Sequence, residues 1–276
     1  MPFAIWKDPD ISYGPFGERN LCDIYRPANP PEPCPCVVFI HGGGFRGGNR
    51  TALLWNAIEW ARLGGVAVTP TYRFWPDHLY PACIDDMQRL VRWLRAHADL
   101  HSIDPARIGA MGHSAGGHLG AFLGLIETRD NADRELARFS SRVRCVVDLC
   151  GPVEFVGMMS SASAPLLEGF IGKPLAEAES LYREASPVTH VASALDPAAF
   201  LIIHGEKDDG SFQGSVPLSA SQALHRELRK VGAESELLVV PEVGHDLAQG
   251  NPALPAAKRI WSATLSFLSR HLGLKG

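Results

Sequence analysis

No stretch of the 276-residue sequence approaches the roughly 18 uninterrupted apolar residues that a membrane-crossing helix requires; runs such as Cys36 to Ile40 are strand-sized. A membrane span is therefore excluded. The first ten residues lack the continuous apolar core of a secretory signal, because Pro2, Lys7, Asp8 and Pro9 interrupt them. The expected compartment is the cytoplasm, unless a leader precedes the chain. A block of basic residues is missing too: 26 Lys and Arg against 30 Asp and Glu leave a net charge of −4, so nucleic acid is not an expected partner. Arg89, Arg92 and Arg95 read as the solvated face of a helix. The six cysteines, Cys22, Cys34, Cys36, Cys83, Cys145 and Cys150, form no CxxC pair and read as buried free thiols. The phosphate motif GxxxxGKS/T and the zinc motif HExxH are absent, and no cofactor or metal is expected. His97 and His101, four apart, lack the glutamate of a zinc site and read as surface histidines. Asp85 and Asp86, adjacent on a helix, point apart and read as structural.

What is present is the composition of an ordinary globular enzyme, 46% hydrophobic and 20% charged, without repeat, low-complexity tract or linker. Residues 1–276 are expected to form one unit. β-branched apolar runs predict strands at Leu21 to Tyr25, Val37 to Ile40, Val66 to Thr69, Ile108 to Met111, Val143 to Leu149, Phe200 to Ile203 and Leu237 to Val240. Between them, helices are expected over about Pro81 to Ala98, Ala115 to Ile126, Val216 to Val231 and Ala253 to Leu272. In the first of these, Met87, Leu90, Val91 and Leu94 make one apolar stripe. The alternation predicts an α/β fold, a mostly parallel sheet flanked by helices. Residues 151–195 separate two strands by more than a crossover needs and are expected to form a small cap over a site. Phe155, Met158, Met159 and Phe170 could line a pocket there or simply pack the insertion.

Gly112-His113-Ser114-Ala115-Gly116 follows one strand and opens a helix, the setting in which G-x-S-x-G holds a nucleophilic serine on a strained turn. His41-Gly42-Gly43-Gly44-Phe45 follows another strand, and its glycines leave backbone N–H groups free to hold an oxyanion. Gly43, Gly44 and the N–H of Ala115 are the candidates. An acid and a base then follow in the order this chemistry needs, from His204-Gly205-Glu206-Lys207-Asp208 and Gly244-His245-Asp246, each just past a strand end.

These stretches, with PTYRFWPDHLYPACIDD at 70–86 and DPARIGAMGHSAGGHLG at 104–120, resemble the α/β-hydrolases of the hormone-sensitive-lipase-like branch. The likeness is strongest to compact bacterial carboxylesterases and to feruloyl- or acetyl-esterase-like relatives. It implies Ser114 as nucleophile, Asp208 as acid, His245 as general base, and Gly43, Gly44 and Ala115 as the oxyanion hole. Three departures stand out. The family's acid motif runs HGxxDxxVP, but here Val216-Pro217 comes late, which leaves Asp209 as a rival to Asp208. Only about 20 residues precede the first expected strand, so a long N-terminal cap is missing and a more open site is expected. His113 stands where many members carry an acidic residue.

The expected activity is cofactor-independent hydrolysis of a small ester, short-chain or on a sugar, through an acyl-enzyme. An amide, formamide or lactone hydrolase would use the same residues. A ligand-binding receptor of this fold is the alternative from another class, and His245 argues against it.

Overall fold

A computed structural model describes residues 2–30, 32–128, 133–249 and 251–274. In chain order the elements are β1 (Ile5–Ser12), β2 (Leu21–Pro27), β3 (Cys34–Ile40), α1 (Leu54–Arg62), β4 (Val66–Pro70), α2 (Ala82–Ala96), β5 (Ile103–His113), α3 (Ala115–Leu125) and β6 (Cys145–Leu149). Then come α4 (Phe155–Met158), α5 (Ala164–Ile171), α6 (Leu175–Glu184), α7 (Pro187–His190), β7 (Ala199–Gly205), α8 (Leu218–Lys230), β8 (Ser235–Val240) and α9 (Pro255–Leu272). The strands form one sheet in the order β1-β2-β4-β3-β5-β6-β7-β8. β1 and β2 pair antiparallel and β2 meets β4 antiparallel, while every pairing from β4 to β8 is parallel.

The central strands are apolar throughout because both faces of the sheet are covered. Along β3, Cys36, Val38 and Ile40 enter the core beneath α2 and α3, whereas Val37 and Phe39 enter the core beneath α1 and α9. The stripe Met87, Leu90, Val91 and Leu94 of α2 is fully buried on the first of these faces.

Several expectations are corrected. The first strand is β1, not β2. Its sequence, IWKDPDIS, has no apolar alternation because it is a half-exposed edge held by backbone pairing to β2, with Lys7, Asp8 and Asp10 guarding the edge. α1 is likewise unanticipated. Arg89, Arg92 and Arg95 do not form a solvated face: Arg92 is buried and donates to the carbonyl of Leu136, Arg89 donates to that of Tyr13, and Arg95 binds those of Pro105, Ser140 and Arg142. Loop carbonyls without sheet partners need donors, and a guanidinium on a long stem supplies five. His101 is buried, not at the surface, and His97 stacks on Trp93. Asp86 is structural, as its carboxylate binds both the Nε and the backbone N–H of Arg73. All six cysteines are buried and unpaired.

Candidate active site

Four strand ends converge on one place. β5 ends at His113, and Ser114 sits between it and α3 at φ 54°, ψ −121°, a backbone conformation rarely adopted by a residue with a side chain. The turn is held by close packing. A Cβ on Gly112 would lie 2.1 Å from the Gly116 carbonyl oxygen, and one on Gly116 would lie 2.0 Å from that of Ile40. The N–H of Ser114 donates to the Leu149 carbonyl at 2.7 Å, which fixes the turn to β6.

The structure brings Ser114, His245 and Asp208 into one chain of hydrogen bonds. Ser114 Oγ lies 2.9 Å from His245 Nε2, and His245 Nδ1 lies 2.6 Å from Asp208 Oδ2. With the Nδ1 proton donated to the carboxylate, Nε2 is left to accept from the serine hydroxyl. Asp208 is fully buried, and its other oxygen accepts the backbone N–H of Val216 at 2.9 Å. The late Val216-Pro217 is thereby explained: residues 209–215 loop out, and the chain returns to the same carboxylate. Asp209 is not brought to His245. It lies at the surface, where hydrogen bonds from Ser211 hold its carboxyl below the usual range.

Sequence reasoning did not find the groups around this relay. His204 is buried beside Asp208, with Nδ1 on Ser221 Oγ at 2.8 Å and Nε2 donating to the Val216 carbonyl at 3.0 Å. Cys150, His204 and Asp208 bring metal-ligating atom types within 4.8 Å of one another, but both nitrogens of His204 and both oxygens of Asp208 already have protein partners. His113 donates from Nε2 to the backbone carbonyl of His245 at 2.7 Å. Burial and the neighbouring His245 push its pKa down to about 4, so the ring is neutral and keeps one nitrogen free of a proton. An acidic residue at 113, ionised, could not donate this bond.

Of the oxyanion candidates, Gly44 and Ala115 line the same small cavity as Ser114, while Gly43 is not among its lining residues. The Gly43 carbonyl accepts the N–H of Arg46 at 3.2 Å, so the trans peptide points the Gly44 N–H the opposite way. Trp75 Nε1 binds the Gly44 carbonyl at 3.1 Å, and Tyr72 donates its hydroxyl to the His41 carbonyl at 2.9 Å while stacking on the His41 ring. Met158 lines the cavity. Phe155 and Phe170 instead build an aromatic cluster in which Phe170 stacks on Phe45 at 4.0 Å, and Met159 packs against the core.

A family model described as BD-FAE matches residues 22–228, a span that contains the serine turn, the glycine loop and Asp208. The chain belongs to the BD-FAE family. This BD-FAE chain is 30% identical over 82% of its length to the probable carboxylic ester hydrolase LipM of Mycobacterium tuberculosis, and 31% identical over 81% to the esterase LipQ of the same organism. It spans about half the length of each, 53%. Among solved structures, a truncated carbohydrate esterase from gut microbiota superposes with a TM-score of 0.80 at 23% identity, covering 99% of this chain and 97% of that one. The fold is that of the α/β-hydrolases, in the hormone-sensitive-lipase-like branch to which the motifs pointed. Among the described residues, no helix is long and apolar enough to cross a membrane.

Proposed function

We propose that this chain is a serine carboxylesterase that cleaves short-chain esters, acylated sugars among them. The observation that carries the reading is the hydrogen-bonded line from Ser114 through His245 to a buried Asp208. His245 takes the proton of Ser114 as Oγ attacks the acyl carbonyl carbon, and Asp208 stabilises the imidazolium that results. The oxygen of the tetrahedral intermediate is held by the backbone N–H groups of Gly43, Gly44 and Ala115. On collapse the alcohol leaves with the proton from His245, and an ester of Ser114 remains. Water, deprotonated by the same histidine, then releases the acid and restores the serine. The mechanism calls on no cofactor. The names of the relatives support ester hydrolysis. Residues 1–276 form one domain in which residues 151–195 act as a cap over the site, a role supported by Met158, Ser163, Leu166 and Leu167 in the cavity wall.

The test is hydrolysis of p-nitrophenyl acetate and butyrate by the wild type and by Ser114→Ala, with folding checked by circular dichroism. The substitution is expected to lower kcat by about 10⁴ to 10⁶-fold, as losses of a triad serine do. Equal rates in the two proteins, or a folded wild type without turnover, overturn the proposal.

A further inference from the structure

The cavity beside Ser114 is small. Its free volume is about 20 Å³, enough for one water- or methyl-sized group, since a water needs about 10–15 Å³ of such space. Its floor is Ser114, Ala115 and Gly44, and its walls come from two segments distant in sequence: the first turn of α5, with Leu166 and Leu167, and the end of the 209–215 loop, with Gly214 and Ser215. Ser163 holds the two walls together. Its hydroxyl donates to the Ser215 carbonyl at 2.7 Å and accepts the Gly214 N–H at 2.9 Å. Its own carbonyl accepts the N–H groups of Leu166 and Leu167 at 3.0 and 3.1 Å. Beside it, the Ala162 N–H donates to the Gly210 carbonyl at 3.0 Å. Ser163 itself is 2% exposed, so neither of its side-chain bonds is readily exchanged for water.

His245 is not among the residues lining this cavity. The alcohol must leave on the side of His245, which protonates it, so the group that enters the cavity is the acyl chain. We infer that Ser163 is a specificity-determining residue, a clasp between the cap segment and the loop after Asp208 that closes the acyl side of the site to groups much longer than acetyl. The inference rests on the esterase reading above. Leu166 and Met158 can turn aside as flexible side chains, but the Gly214-Ser215 wall recedes only if the clasp opens.

The experiment measures kcat/KM of the whole chain on two series: p-nitrophenyl acetate, butyrate and hexanoate for the acyl side, and ethyl against hexyl acetate for the alcohol side. Ser163→Ala is expected to raise the hexanoate-to-acetate ratio at least about ten-fold, the scale at which a pocket discriminates a single methylene, and to leave the hexyl-to-ethyl ratio unmoved. Leu166→Ala, which widens the same cavity with the clasp intact, is expected to raise the acyl ratio as well. If Ser163→Ala does not accumulate as folded protein, Ser163→Cys, which weakens both bonds at similar volume, carries the comparison. An acyl ratio that stays at the wild-type value, or a uniform loss on every ester, overturns the clasp while leaving the esterase reading intact. A wild type inactive on all of these esters removes both.

Discussion

Asp208 and Asp209 are chemically identical neighbours in two different dielectric surroundings. The first is buried between the Val216 N–H and the His245 imidazole; the second is at the surface and turns back onto Ser211. A carboxylate fixes an imidazole's tautomer only when it touches it. Asp208→Asn is therefore expected to lower kcat by about 10⁴-fold, as loss of the orienting acid does in serine proteases. Asp209→Asn is expected to leave kcat essentially unchanged, and steady-state rates on p-nitrophenyl acetate check both. The resemblance pointed to Asp208 through HGxxD, and the late Val216-Pro217 left Asp209 as its rival; what separates the two in the structure is the direction the backbone gives them. Ser114 and His245 were legible as candidates, since each follows a strand and carries a glycine-rich signature. The contacts of His113, His204 and Val216 were not, because all three run through main-chain atoms whose partners no side-chain pattern encodes.

At the scale of elements, the serine turn depends on how closely α3 approaches β3. Gly116→Ala places a Cβ 2.0 Å from the Ile40 carbonyl oxygen, and because that atom belongs to a central strand it cannot yield cheaply. The expected cost is about 1–3 kcal/mol of stability, with loss of activity as the turn shifts. Gly120, one turn further along α3, has only an ordinary contact at 3.5 Å to Val146. Gly120→Ala is expected to be neutral or to stabilise by up to about 1 kcal/mol, because alanine restricts the unfolded chain and favours helix. Urea denaturation of the two variants checks the contrast, and equal effects would remove the packing argument. The apolar stripe of α2 was readable because period and burial coincide. β1 was not, since pairing along one edge requires backbone groups and no apolar face, and the arginines of α2 misled because spacing describes a helix surface but not the loop folded over it.

For the whole molecule, buried titratable groups set how stability depends on pH. Burial lowers His41 and His113 to about 4 and His118 to about 3, so all three are neutral in the folded protein at pH values where an unfolded histidine is charged. Between about pH 4 and 6.5 unfolding takes up protons, and these residues make stability fall as pH is lowered through that window. Asp148 acts in the opposite sense. Burial raises it to about 7 from 3.8, and only one of its oxygens has a partner, the Gly151 N–H. It is protonated when folded and ionised when unfolded between those values, so its contribution is present at low pH and lost as pH rises through 7. Asp148→Asn is thus expected to stabilise the protein at pH 8 by on the order of 3 kcal/mol relative to wild type, and by much less at pH 4.5. Urea denaturation of both proteins at the two pH values tests this; an equal offset at both places the proton elsewhere. The sequence by itself determined the class of fold, the strands of the sheet interior, the elbow, the glycine loop and the order of serine, acid and base. These are local signals, written in hydrophobic period and in residues that a particular turn demands. The tertiary structure alone decided which glycines share the cavity with Ser114, and how the cap and the loop after Asp208 are joined. Those outcomes depend on contacts between segments far apart in the chain, and only the packed sheet brings them within reach of one another.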